Sequence, residues 1–359
     1  IGMPWDMEAS MFEIGVTRNI NVDDPNTLVR VYTRLRENPE FRLRYADRVR
    51  RHCFHGGPLT PARAAEIWET RASEIYTAII GESARWGDFR RPALPFTRDA
   101  EWQAERERLL TTYFPTRSDF LVNLLRQNDL YPDTEAPEFS QHGGALPGGS
   151  QISISAPAGT IYFTTDGSDP REMWTGNAVG SPYTSALTLN ESTRVKARSL
   201  DDGEWSALTE ATFLVGTLAS AANTAISEIM YHPAAGGAEF IELANLSTAP
   251  VDLSAVRFGA GIEFEIPIGT VIPPGGFFLI SDFLDASALD NSGETVTLLA
   301  ADGSVIESFR YEDSAPWPES PDGSGPSLTR ILSAPIDDPA LPGSWRPSVT
   351  QSGSPGSSD

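Results

Sequence analysis

The chain has 359 residues, 40% of them hydrophobic, which is enough for two or three domains with ordinary cores. Its net charge is −22, and no run of eighteen apolar residues occurs. A spanning helix is therefore excluded, and so is a chain built as a whole to hold nucleic acid or an anionic membrane. The acidity is uneven. Residues 1–135 hold 19 basic and 21 acidic side chains, and residues 136–359 hold 8 and 28. Cys53 is the lone cysteine, so neither an internal disulfide nor a zinc site of several thiolates can form.

Residues 1–24 are irregular, and the pattern then turns helical up to about Leu130. Asn38-Pro39 and Thr60-Pro61 each place a capping side chain before a proline suited to the first helical position. Thr116 with Asp119 resembles a capping box. Helices are expected over Pro39 to Phe54, Pro61 to Trp86, Arg98 to Phe114 and Arg117 to Leu130. Trp68, Ala72, Ile75 and Ile79 form one apolar stripe. Gly56-Gly57 and Gly87 mark helix ends. His52, Cys53 and His55 are three candidate metal ligands, the histidines three apart on one helix face. The alternative is a plain helix end with Cys53 and Phe54 packed inward.

The order of motifs here is informative. Asn38-Pro39-Glu40-Phe41-Arg42, Phe54-His55-Gly56-Gly57, Ile79 to Gly87 and Tyr113-Phe114-Pro115-Thr116-Arg117 resemble the C-terminal part of the spore-coat-protein-H (CotH) kinase-like family. That resemblance implies an atypical kinase fold. Met3-Pro4-Trp5-Asp6 is similar to the family's segment whose aspartate binds the nucleotide's metal. Asp6 is thereby a candidate Mg²⁺-nucleotide ligand, the alternative being a solvated or capping carboxylate. The sequence departs from the family pattern at Glu8 and after Phe12. A kinase also needs a phosphate-covering loop, a cation and a catalytic base. Only five residues precede Asp6, so this segment is expected to be inactive alone. Mg-ATP is expected, if anywhere, in a longer parent.

Residues 131–150 are rich in Pro and Gly and read as a linker. Short strands follow at Gln151 to Ile154, Thr160 to Thr165, Thr184 to Leu189 and Thr193 to Arg198. Asp166, Asp169, Asp201 and Asp202 are oxygen donors that would offer weak calcium binding. Turn chemistry explains the same residues, since Asp-Gly and Asp-Pro are turn signals. TIYFTTDGSDP, SPYTSALTL and STRVKARS together resemble the small C-terminal β-sandwich of chitobiases and hexosaminidases. A short polar linker is expected at Thr217 to Thr224.

From Ile226 to about Ile331 at least six β-branched and aromatic runs are cut by Gly, Pro, Asn and Asp, the pattern of an antiparallel sandwich. Asp302-Gly303 predicts a tight hairpin turn. Pro273-Pro274-Gly275-Gly276 predicts a second forced turn, with Phe277 to Ile280 as a buried strand after it. Glu239 and Glu242 lie three apart in a strand and face opposite sides. ISEIM, EFIELAN, VDLS, IPPG and Trp317-Pro318, in that order, resemble the lamin-tail domain, and Ser344-Trp345 with Ser354-Pro355-Gly356 fits its usual end. The resemblance implies an Ig-like module that binds or connects.

The expectation is a multidomain α plus all-β chain. Residues 1–135 would finish a helical kinase-like lobe, 136–217 would form a small fibronectin/Ig-like sandwich, and 218–359 a lamin-tail sandwich. The expected role is the C-terminal portion of a secreted or surface-associated bacterial protein, with β modules as binding or spacer domains. Its expected partner is a protein or a cell-envelope polysaccharide. The alternatives are an accessory part of an active atypical kinase, or polysaccharide-binding modules beside a hydrolase.

Overall fold

The structure, a computed structural model, describes residues 11, 29–89, 91–281, 283, 288–332 and 338–359. The Met3 to Asp6 segment lies outside them. Contacts divide the chain into two compact units. One holds residues 1–142, 153–186 and 195–211, and the other 143–152, 187–194 and 212–359.

The first unit begins with helices α1 (Val29–Leu35), α2 (Pro39–Cys53), α3 (Pro61–Ile75) and α4 (Ala78–Trp86), followed by α5 (Gln103–Arg108) and α6 (Phe114–Arg126). Asn38 caps α2 as expected, its side-chain oxygen accepting from the Glu40 and Phe41 amides. Thr60 does not cap α3; its hydroxyl donates to the Gly57 carbonyl at 2.7 Å. The helix expected to run to Trp86 breaks after Ile75. Thr97, rather than Thr116, starts the next helical stretch by accepting from the Ala100 amide. Thr116 sits inside α6 and donates to the Thr112 carbonyl, so no capping box forms there. The two expected helices from Arg98 onward are one stretch, with π-helical turns at Arg98–Trp102 and Leu109–Tyr113. Gly87 needs to be glycine because a Cβ would strike the Ser83 and Phe96 carbonyl oxygens.

The expected apolar stripe holds in part. Ala72 is buried and Trp68 packs on Leu109, Tyr113 and Phe114, but Ile75 is exposed. A separate core joins Ala46, Val49 and Cys53 of α2 to Val122 and Leu125 of α6, and includes Leu130, Tyr131, Ala136 and Ala207.

The residues expected to link helices to strands carry strands themselves. These are β1 (Glu138–Phe139) and β2 (Gly144–Leu146), followed by β3 (Ser150–Ile152), β4 (Ile154–Ser155), β5 (Thr160–Thr164), β6 (Ser181–Pro182), β7 (Leu187–Leu189), β8 (Thr193–Asp201), β9 (Glu204–Trp205) and β10 (Thr209–Val215). Within the first unit β5 pairs antiparallel with β6 and β8, β8 with β9, and β1 with β4. Within the second, β2 runs parallel to β10, and β3 pairs antiparallel with β7.

The rest of the second unit is the lamin-tail-like stretch: β11 (Thr224–Met230), β12 (Phe240–Asn245), β13 (Val251–Asp252), β14 (Arg257–Ala260), β15 (Val271–Ile272), β16 (Phe277–Ile280), β17 (Thr295–Leu299), β18 (Val305–Arg310), β19 (Leu328–Arg330) and β20 (Trp345–Pro347). One sheet has the order β16-β12-β11-β19-β20 and another β14-β17-β18. Ile226, Ile229, Ile241, Leu243, Val296, Leu298, Phe309 and Tyr311 fill one core with Trp317 and Trp345. Both turns form as expected. Gly303, at φ 87°, closes the β17–β18 hairpin, and the Gly276 amide donates to the Pro273 carbonyl at 2.9 Å. The strand after the second turn is not buried throughout. β16 is an edge strand, Leu279 is 41% exposed, Ile280 is buried in the core and Phe278 packs against it only partly buried.

Candidate functional site

The first unit contains a buried, fully paired arginine. β8 carries Arg198 with 1% of its surface exposed. Its guanidinium donates to both Asp47 oxygens of α2, at 2.8 and 2.7 Å, and to both Asp169 oxygens, at 2.8 and 2.6 Å. It also donates to the Ser206 carbonyl at 2.8 Å. Asp47 in turn accepts from the Leu208 amide. Burial alone would lower the arginine's affinity for its proton. The bonds to Asp169 and Asp47 outweigh it and hold the charge more firmly than usual. Burial would raise Asp169, but the Arg198 bond overrides it and leaves its pKa below the ordinary value. A second tie joins the same elements, since Arg171 and the Trp174 amide donate to Glu40, next to the start of α2. The helices and the β5–β8 strands are thus clamped by charge pairs centred on the buried Arg198 guanidinium.

This geometry decides where the candidate calcium residues stand. Asp169 spends both oxygens on Arg198. Asp166 sits in an exposed turn and accepts from the Ser168 amide and hydroxyl, at 2.9 and 2.6 Å. Asp202 adopts a left-handed turn conformation, φ 45°. Among the described residues no group of three or more His, Cys, Asp or Glu is arranged to hold a metal ion. Asp6 lies outside those residues.

The His52, Cys53, His55 cluster is dispersed in the same way. α2 ends at Cys53, and His55 follows with φ 51°, off the helix face. Cys53 is buried in the α2–α6 core, and that burial pushes its thiol up to about 11. His55 stacks on His142 instead, ring centroids 3.7 Å apart and 13° from parallel. Burial, then His55 and Arg50, brings His142 down to about 4. Burial also lowers His55, with Glu138 pulling the other way. The ring pair is therefore uncharged at neutral pH.

These histidines form one wall of a groove of about 650 Å³. α2 supplies Arg44, Arg48 and Arg51, spaced i, i+4, i+7 and so on one face. Lys196 of β8 and Glu210 of β10 lie opposite, 3.7 Å apart. Arg51 pairs with Glu210 at 2.5 Å. Arg50 lies beneath, paired with Glu138, and its Nε is buried without a partner.

The second unit has a different polar centre. A register shift between Ile226 and Glu228 in β11 sets Glu228 directly opposite Glu242 of β12, both 1% exposed. Like charges so placed repel. Burial raises Glu242, Ser227 and the Gly356 amide pull it down, and Glu228 adds to the rise. The C-terminal segment satisfies the pair. The Ser354 amide donates to Glu228 at 2.8 Å and the Gly356 amide to Glu242 at 2.6 Å, while Ser327 donates to Glu228 and Ser227 to Glu242. The signal missed was acid in the middle of two fully buried strands. Glu239 does point elsewhere, accepting from the Leu289 amide.

Two family models match parts of the chain: the Lamin Tail Domain over residues 217–313, and Fn3 associated over residues 151–213. The second covers the stretch that resembles the chitobiase module. No curated protein matches. Among solved structures, a β-glycosidase from Bacteroides vulgatus is similar at 13% identity, over 50% of this chain and 25% of that one, with a TM-score of 0.17. That score is too low to bear on fold or function. Among the described residues, no helix is long and apolar enough to cross a membrane. The lamin-tail and Fn3-associated matches, with sandwich-like sheets, mark residues 151–213 and 217–313 as β modules of the binding or spacer kind.

Proposed function

We propose that this chain is a non-catalytic binding and spacing arm of a secreted or cell-surface protein similar to the CotH kinase-like family. The observation that carries the reading is the Arg198 clamp. A flexible tether needs no buried guanidinium shared by two carboxylates from distant parts of the chain, whereas a stiff mount does. The helical end of the parent's lobe would thus present the Fn3-associated module at a fixed angle. The proposed partner is envelope polysaccharide.

The test is co-sedimentation of the whole chain with insoluble envelope polysaccharide, beside a melt with and without ATP–Mg²⁺. The expected result is sedimentation with the polysaccharide and no nucleotide effect. A ligand at a hundredfold excess over its Kd adds about 2.7 kcal/mol, which a melt detects. A melting shift with ATP–Mg²⁺ that disappears in Asp6→Ala would replace this reading with that of an active kinase.

A further inference from the structure

We infer that the groove between α2 and the β8–β10 strands of the first unit binds acidic glycan, through repeated carboxylate or sulfate groups. The inference rests on the reading of this chain as a glycan-binding arm and names the class of glycan. The chain as a whole carries −22, yet the groove is lined by four arginines and a lysine against two carboxylates. One of those carboxylates, Asp47, shares Arg198 with Asp169, and Arg50 is matched by Glu138, so the excess is carried by Arg44 and Arg48. The other, Glu210, is shared between Arg51 and Lys196. The groove therefore keeps a cationic excess that its own acids do not cancel. Lys196 is the one lysine of the sequence, and it stands here.

The shape suits a chain rather than a single ion. At 1.5 Å rise per residue, Arg44, Arg48 and Arg51 extend about 10 Å along α2, one turn apart. Each planar guanidinium prefers an oxyanion with two oxygens to share. Arg48 is exposed and has no ion pair among the described residues. A volume of about 650 Å³ holds a ligand of two or three sugar units in size. The uncharged His55–His142 pair offers a flat ring face and adds no charge of its own. Duplex nucleic acid fits less well. The −22 of the chain repels a long polyanion, whereas a few acidic repeats within one Debye length feel the groove first.

The experiment uses the full chain and three soluble probes of a few sugar units each: oligogalacturonate, dextran sulfate oligosaccharide and neutral dextran oligosaccharide. Binding is read by calorimetry at about 50 mM and about 300 mM NaCl. Oligogalacturonate or dextran sulfate should bind, more weakly at high salt, and neutral dextran should not. The double variant Arg48→Glu, Arg51→Glu should weaken binding at least about tenfold with an unchanged melting profile, because both side chains are exposed. Arg63→Glu, on the exposed face of α3, should leave binding as it was. The inference falls if neither acidic probe binds, if the groove variant binds as tightly as the parent sequence, or if Arg63→Glu costs as much. It also falls if neutral dextran binds equally well. That last outcome would leave the glycan-binding arm standing and remove only the claim about charge.

Discussion

Arg198 and Leu243 are both out of reach of water, at 1% and 0% exposure, and they hold their units by opposite means. Arg198 ties α2 to the Asp169 turn and its own strand through five hydrogen bonds, four of them to carboxylates. Leu243 is one of many apolar side chains in a shared sandwich core. A few desolvated charges give direction and register, but each depends on the others. Many apolar contacts give stability that tolerates repacking.

The largest effect should come from the first. Arg198→Met leaves the partly exposed Asp47 and Asp169 facing each other without the buried cation they share and should cost about 3–5 kcal/mol. Denaturant unfolding should show that loss in the first unit's transition alone. Leu243→Ala should cost about 2–5 kcal/mol, confined to the second unit. If either variant shifts both transitions equally, the two units are not separate cooperative bodies.

Acid should sharpen the contrast, because the carboxylates are perturbed in opposite directions. In the second unit, burial raises Glu242 above the ordinary 4.5. Burial also raises Glu307, against the pull of Arg330. Each then takes up protons in the folded state that the unfolded chain has released. Their contribution is full below about pH 4.5 and is lost as pH rises through the raised values. In the first unit, Asp169 is depressed below 3.8. Its contribution is present above that value and is lost as pH falls through the folded one. Lowering the pH from 7 to 5 should therefore raise the second unit's Tm, and Glu242→Gln should flatten that rise. Below about pH 3.8 the first unit should weaken. A second unit whose Tm falls between pH 7 and pH 5 would show that Glu228 and Glu242 are not held as described.

The smallest effect belongs to the exposed acids. Asp166→Ala should leave the melting profile unchanged, because the side chain is exposed and held only within its own turn. Calcium should stabilise the chain no more than NaCl at matched ionic strength. A micromolar calcium isotherm abolished by that substitution would place a metal site in the Asp166 turn.

The β elements were legible because their signals are local. Asp302-Gly303 and Pro273 to Gly276 fix their turns within four residues, and Asn38-Pro39 fixes the start of α2. The kinase-like reading of the helices rests on resemblance, and the family models leave that stretch unmatched. The helix breaks were less legible, since the Tyr76–Thr77 break carries neither Gly nor Pro, and Thr116 is as good a cap on paper as Thr97. The clamp could not be read at all. Asp47 and Arg198 are 151 residues apart, and each alone reads as an ordinary surface charge. The opposed Glu228 and Glu242 depend on a one-residue shift in β11 that turns Glu228 toward its partner. His52 and His55 looked like neighbours on a helix only by their spacing; the Gly56-Gly57 signal already put the end of α2 close to Phe54, and α2 in fact stops at Cys53.

The most direct test of the account is a double-mutant cycle on Asp47→Asn and Arg198→Met in the full chain, read by the first unit's unfolding free energy. The clamp predicts a coupling of about 2 kcal/mol or more, with the double variant less destabilised than the two single losses combined. Additivity within about 0.5 kcal/mol would mean that the pair does not join the helices to the strands, and the stiff arm would lose its support.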